Sequence, residues 1–170
     1  MNDLRLVIQQ TAPLLDEAEA NRRDVLARVK ASAGADLVAF PELALSGYAL
    51  RSRFRRTAGP AGEHPLPGLA AGDPPVALSH PERGHDELVY NAGVILEGSR
   101  VLARHRKVYL PTYGPFEEGR FFAPGREPPP VVRVPCGWRV GLLVCEDFWH
   151  PALLYLLALQ GAELILVLSA

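Results

Sequence analysis

Two rhythms of apolar and polar positions run along this chain. Short, continuous apolar runs of strand length occupy 4–9, 36–40, 90–96, 131–134, 139–144 and 163–168. Between 16 and 33 the spacing is helical: Ala18, Val25, Leu26 and Val29 mark one face, Arg22, Arg23, Asp24, Arg28 and Lys30 the other. Gly34 is a fitting stop for that helix. Strand, helix, strand at the amino end predicts a βαβ unit on a parallel sheet, hence the α/β class. The runs at 90–96 and 100–104, joined by Glu97-Gly98-Ser99, predict an antiparallel pair. A second helix is predicted over 151–160, opened by Pro151 and capped by Gly161.

The remaining segments are punctuated rather than periodic. Residues 57–75, rich in Gly, Pro and Ala, predict a loop, with 76–78 a short strand after it. His80 to Glu87 (HPERGHDE) predicts a polar surface hairpin. His105 to Gly125 is too broken by proline and glycine for a helix, yet rich in aromatics. Such a long irregular segment predicts a functional loop rather than disorder.

Composition narrows the function classes. The chain has 170 residues, which suits a single domain spanning 1–170. A formal net charge of -1 gives no reason to expect nucleic acid or an anionic membrane as partner. The basic cluster RSRFRR at 51–56 reads as a solvated helix face. Apolar runs are far shorter than a membrane span. Two cysteines make no disulfide framework, so a cytoplasmic location is expected.

Three segments each deliver a reactive residue at a predicted strand end: Glu42 after DLVAFP, Lys107 after VLARHR, and Cys145 after GLLV. Open α/β sheets place chemistry at such carboxyl ends. Each residue has a bland reading as well: a loop acid, a solvated basic run, a structural buried thiol. Together they suit acyl transfer from an amide or nitrile. A carboxylate takes the thiol's proton, the thiolate attacks, and an ammonium stabilises the oxyanion. No cofactor is expected. A metal on Cys145, Glu146, Asp147 and His150 fits no common zinc spacing.

The motifs FPELALSGY around Glu42, HRKVYLP around Lys107 and GLLVCEDFW around Cys145, in that order, resemble the nitrilase-like carbon–nitrogen hydrolases. The segments YLPTYGPFEEGRFFAPG and VCEDFWHP are most similar to the glutaminase domains of glutamine-dependent NAD synthetases and their stand-alone relatives. The resemblance implies an α-β-β-α sandwich of two sheets. It implies Glu42 as general base, Lys107 as the stabilising cation and Cys145 as nucleophile. Glu118 is the better match to the family's second glutamate, with Glu117 as the alternative. The backbone N–H of Glu146 would complete the oxyanion site, with Tyr113 and Trp149 as candidate substrate contacts. The implied substrate is a small-molecule amide, glutamine-like among them, cleaved through a thioester with release of ammonia.

Members of that family continue well past the run that ends at Ala170. The expectation is therefore a sandwich lacking its C-terminal portion: a fragment, a split enzyme or a remnant. It would work as a homo-oligomer or with a complementing chain. The alternative function is a non-catalytic module acting through association alone.

Overall fold

In the computed structural model, residues 3–49 and 51–170 are described. Strand β1 (Leu6–Ile8), helix α1 (Ala18–Ala31) and β2 (Leu37–Ala39) form the expected βαβ unit, β1 and β2 pairing in parallel. After α2 (Phe54–Thr57) and the two-residue β3 (Gly59–Pro60) come β4 (Val76–Arg83), β5 (Val89–Glu97) and β6 (Arg100–Arg106). These strands make one sheet in the order β1-β2-β4-β5-β6, with β3 on the end of β4. The pairing is parallel up to β4 and antiparallel beyond it. A second sheet has the order β7 (Val131–Arg133), β8 (Arg139–Val144) and β9 (Leu164–Leu168), with α3 (Pro151–Leu159) crossing over between β8 and β9.

Strand parity sorts the apolar residues into layers, because successive side chains point to opposite faces. Val38, Val76, Leu78, Val94 and Leu96 face outward and pack against Val25 and Val29 of α1. Their neighbours Leu37, Ala39, Ala77 and Ile95 face inward and meet Val140, Leu142, Leu166 and Leu168 of the second sheet. Leu143 turns the other way, onto Leu153 and Leu157 of α3. The layers are helix, sheet, sheet, helix, the α-β-β-α sandwich that the three motifs implied. Gly93 on β5 faces the second sheet at close range, where a Cβ would stand 2.9 Å from Val144 Cγ2.

Two segments depart from expectation. The run after Val76 is one eight-residue strand, with the tight turn beyond it at Gly84–Glu87. His80 and Glu82, expected on a polar surface hairpin, are buried on the outer face of the large sheet. Glu82 is neutralised there by Arg104 and Arg106, at 2.8 and 2.7 Å. Charges placed two apart in sequence made the strand look like a turn; partners from another strand make it a sheet interior. The basic cluster is only partly a solvated face. Arg53 and Arg56 pair with Asp16, while Phe54 is buried against Leu43, Val89 and Phe122. No helix among the described residues is long and apolar enough to cross a membrane.

Candidate active site

Glu42, Lys107 and Cys145 each follow a strand, and those strands end on the same side of the sandwich. β2 delivers Glu42 through Phe40-Pro41, β6 runs directly into Lys107, and β8 runs directly into Cys145. Burial is nearly complete for Lys107, at 0% exposed, and for Glu42, at 2%. The Lys107 ammonium donates to Glu42 Oε1 at 2.8 Å and to Glu118 Oε1 at 2.8 Å. Glu118 lies on a single 3-10 turn (Glu118–Arg120) within the aromatic loop and is itself buried. Its neighbour Glu117 pairs with Arg120 at the surface instead.

Supporting bonds fix these groups in turn. Asn91 of β5 donates through its side-chain nitrogen to Glu42 Oε1 at 2.8 Å, and Ser79 Oγ donates to Asn91 Oδ1 at 3.1 Å. The Asn91 carbonyl also accepts the Lys107 backbone N–H at 2.8 Å, so one residue registers both Glu42 and Lys107. The Tyr48 hydroxyl donates to Glu118 Oε1. Glu42 Oε2 is buried and carries no hydrogen bond among the described residues, leaving a lone pair free for a proton.

Two backbone conformations beside the cluster are costly. Leu43, directly after Glu42, has φ 53°, and Cys145 has φ 43°. Left-handed backbone costs a side-chain-bearing residue roughly 1–2 kcal/mol. The Leu43 side chain is fully buried and its N–H donates to Ser79 Oγ at 2.7 Å, contacts that hold the strained turn. At Cys145 the strain turns the chain sharply out of β8 into a 3-10 turn (Cys145–Trp149) before α3. Ser169, just past β9, donates its hydroxyl to the Cys145 sulfur at 3.5 Å.

Electrostatics follow from this burial. Desolvation pushes the Cys145 thiol up, and the Glu42 charge pushes it further, against the opposing pull of Ser169 and Lys107. The resting sulfur is therefore a thiol, and the carboxylate close enough to raise its pKa is Glu42. Burial works to lower the Lys107 pKa, but Glu42 and Glu118 outweigh it and the ammonium is held charged. Burial raises Glu118 despite the Lys107 ammonium beside it. Tyr48 is pushed up by burial and by Glu118, so it stays a hydrogen-bond donor.

The other sequence candidates lie outside this buried group. Tyr113 is 58% exposed and donates its hydroxyl to Glu146 Oε2 at 2.8 Å. Glu146 sits in the turn directly after Cys145. Trp149 is 72% exposed at the far end of that turn, its ring edge-on to Phe148. Asn91, Ser79, Tyr48 and Ser169 are not singled out by the sequence. The one sequence clue is at Asn91, a polar side chain inside the apolar run 90–96, whereas Ser79 lies just past the predicted strand 76–78 and carries none. Asp147 enters the sequence reading only as a metal candidate. It is fully buried, and its carboxylate is occupied by His105 and by backbone N–H groups.

Comparison with known proteins agrees with the fold and extends it. Residues 7–170 match the family described as carbon-nitrogen hydrolase. The glutamine-dependent NAD(+) synthetase of Thermotoga maritima is 34% identical over 161 residues, covering 89% of this chain and 27% of that protein. That of Rhodobacter capsulatus is 35% identical, covering 96% of this chain and 30% of that protein. The chain thus spans less than a third of the length of these synthetases. Among solved structures, an amidase of the nitrilase superfamily from Nesterenkonia AN1 superposes with a TM-score of 0.80 at 28% identity, over 98% of this chain and 64% of that one. The Acinetobacter baumannii glutamine-dependent NAD+ synthetase superposes with a TM-score of 0.85 at 23% identity, a likeness of fold, over 100% of this chain and 33% of that one. With the match running over almost its whole length, this chain belongs to the carbon–nitrogen hydrolase family.

Proposed function

We propose that the chain carries the catalytic centre of a thiol amidohydrolase, with Cys145 as nucleophile, Glu42 as general acid–base and Lys107 as oxyanion stabiliser. The observation that carries this reading is the buried Glu42–Lys107 contact at 2.8 Å beside a thiol whose pKa Glu42 raises. The substrate is a small amide, glutamine-like ones included. The relatives, glutamine-dependent NAD(+) synthetases and an amidase, support that class.

Each step uses groups already described. Glu42 takes the thiol proton as sulfur bonds to the amide carbon, and the carbonyl oxygen becomes an oxyanion. Lys107 and the Glu146 backbone N–H donate to that oxygen, and one such donor commonly contributes about 3–4 kcal/mol. Glu42 returns its proton to the leaving nitrogen, the C–N bond breaks, and ammonia departs from a thioester. A water, deprotonated by Glu42, then attacks the thioester carbon, the C–S bond breaks, and Glu42 returns the proton to the sulfur as the carboxylic acid departs. Glu118, itself held by the Tyr48 hydroxyl, accepts from the ammonium and keeps it in place.

The test is intact-mass analysis after mixing the protein with glutamine and a panel of small amides, alongside ammonia release. A thioester adduct on the parent, absent from Cys145→Ala, is the expected result. Ammonia release that survives in Cys145→Ala would defeat the assignment. An association-only module would give no adduct with any amide, so the same measurement separates the two readings.

A further inference from the structure

Asp147 and His105 take no part in the chemistry just described, yet both are buried to the last few per cent. Asp147 is 0% exposed and His105 is 2% exposed. The Asp147 carboxylate accepts four donors from two distant segments. Its Oδ1 takes the backbone N–H groups of Val108 at 3.0 Å and Tyr109 at 2.9 Å, the two residues after Lys107. Its Oδ2 takes His105 Nε2–H at 2.8 Å, two residues before Lys107, and the N–H of Val144 at 3.4 Å, directly before Cys145.

The geometry points to Asp147, with His105, as the positioning residues that set the distance between the ammonium and the sulfur. This rests on the proposed roles of Lys107 and Cys145. Lys107 ends a strand of the large sheet and Cys145 ends a strand of the small one. Beneath them the sheets meet through apolar packing, and apolar contact fixes separation loosely compared with directed bonds. One carboxylate spans the gap, holding the His105 imidazole before Lys107, the backbone N–H groups of Val108 and Tyr109 after it, and the backbone N–H of Val144 before Cys145. The stack of His150 on Tyr109, with ring centroids 3.3 Å apart and planes at 6°, joins the same two segments a few residues further on. Charge is useful here because a carboxylate offers acceptors to all four donors, whereas an amide must turn a donor toward either Val144 N–H or His105.

The test compares the parent with Asp147→Ala and Asp147→Asn by steady-state amide hydrolysis, circular dichroism and crystallography. Misplacement of about 1 Å costs on the order of 100-fold in rate. The expected result for Asp147→Ala is a fall of that order in kcat with KM within about threefold, and a Lys107 Nζ–Cys145 Sγ distance altered by about 1 Å. Asp147→Asn, which keeps the Oδ1 bonds, should recover most of the rate, to within about tenfold of the parent. Should the alanine variant fail to fold, the asparagine variant carries the test, with its smaller loss and smaller displacement. A folded variant with the parent's kcat, or with the ammonium and sulfur undisplaced, overturns the assignment. If the parent itself cleaves no amide, the proposed reaction falls, and the crystallographic distance alone decides the positioning role.

Discussion

Lys107 and Glu42 lie 65 residues apart in the chain and 2.8 Å apart in the fold, both side chains shut away from solvent. Glu118 adds a second carboxylate at the same distance from the ammonium. A buried ion pair is weak evidence of net stability, but removing one partner from it is expensive.

Lys107→Met should therefore unfold more easily than the parent by about 3–5 kcal/mol, since two buried carboxylates lose the cation they share. Adding Glu118→Gln should recover part of that loss. Urea denaturation of the parent, both single variants and the double variant measures the coupling, and strictly additive losses would contradict it.

The pH dependence of stability has a definite sign at Glu118. Its pKa is raised on folding from the usual 4.5, by burial first. A raised carboxyl favours the folded state below its unfolded pKa, and that contribution fades as pH rises through the folded value. Glu118→Gln should remove this slope, so the variant gains on the parent as pH climbs from the ordinary carboxylate range toward neutrality. Melting temperatures across that range check it. A parent and variant that run parallel would show that Glu118 does not titrate with folding.

Glu42→Gln should abolish hydrolysis yet leave Cys145 open to alkylation. Burial still raises the thiol, but the Glu42 charge, the second cause of the shift, is gone. The rate of reaction with iodoacetamide should then reach its plateau at lower pH than in the parent. An unmoved profile would separate Glu42 from the sulfur.

Gly93→Val should disturb the centre from below. The new side chain meets Val144 Cγ2 at 2.9 Å, and Val144 leads straight into Cys145. Overpacking of this kind costs about 1–3 kcal/mol. Activity per folded molecule should fall along with stability, whereas a surface glycine such as Gly72, with nothing within 4 Å of a Cβ, should tolerate alanine. Equal effects at the two positions would argue against the close approach of the sheets.

Periodicity alone determined much of this protein. The βαβ start, the 97–99 turn, the strand into Cys145 and the helix from Pro151 were all legible, because each depends on neighbours close in the chain. The three motifs around Glu42, Lys107 and Cys145 pointed to the family for the same reason. Tertiary structure decided the rest. Whether His80 and Glu82 belonged to a turn or a strand depended on Arg104 and Arg106 arriving from β6. Asn91 and Ser79 acquired their partners only when β4 and β5 paired, which joins them to each other and, through Asn91, to Glu42. Asp147, in the sequence only a member of a metal candidate that fitted no zinc spacing, is defined by the end of β6, which brings it His105 and two backbone N–H groups. A polar side chain inside the fold is defined by the partner it finds, and that partner comes from sheet register rather than from the residues beside it.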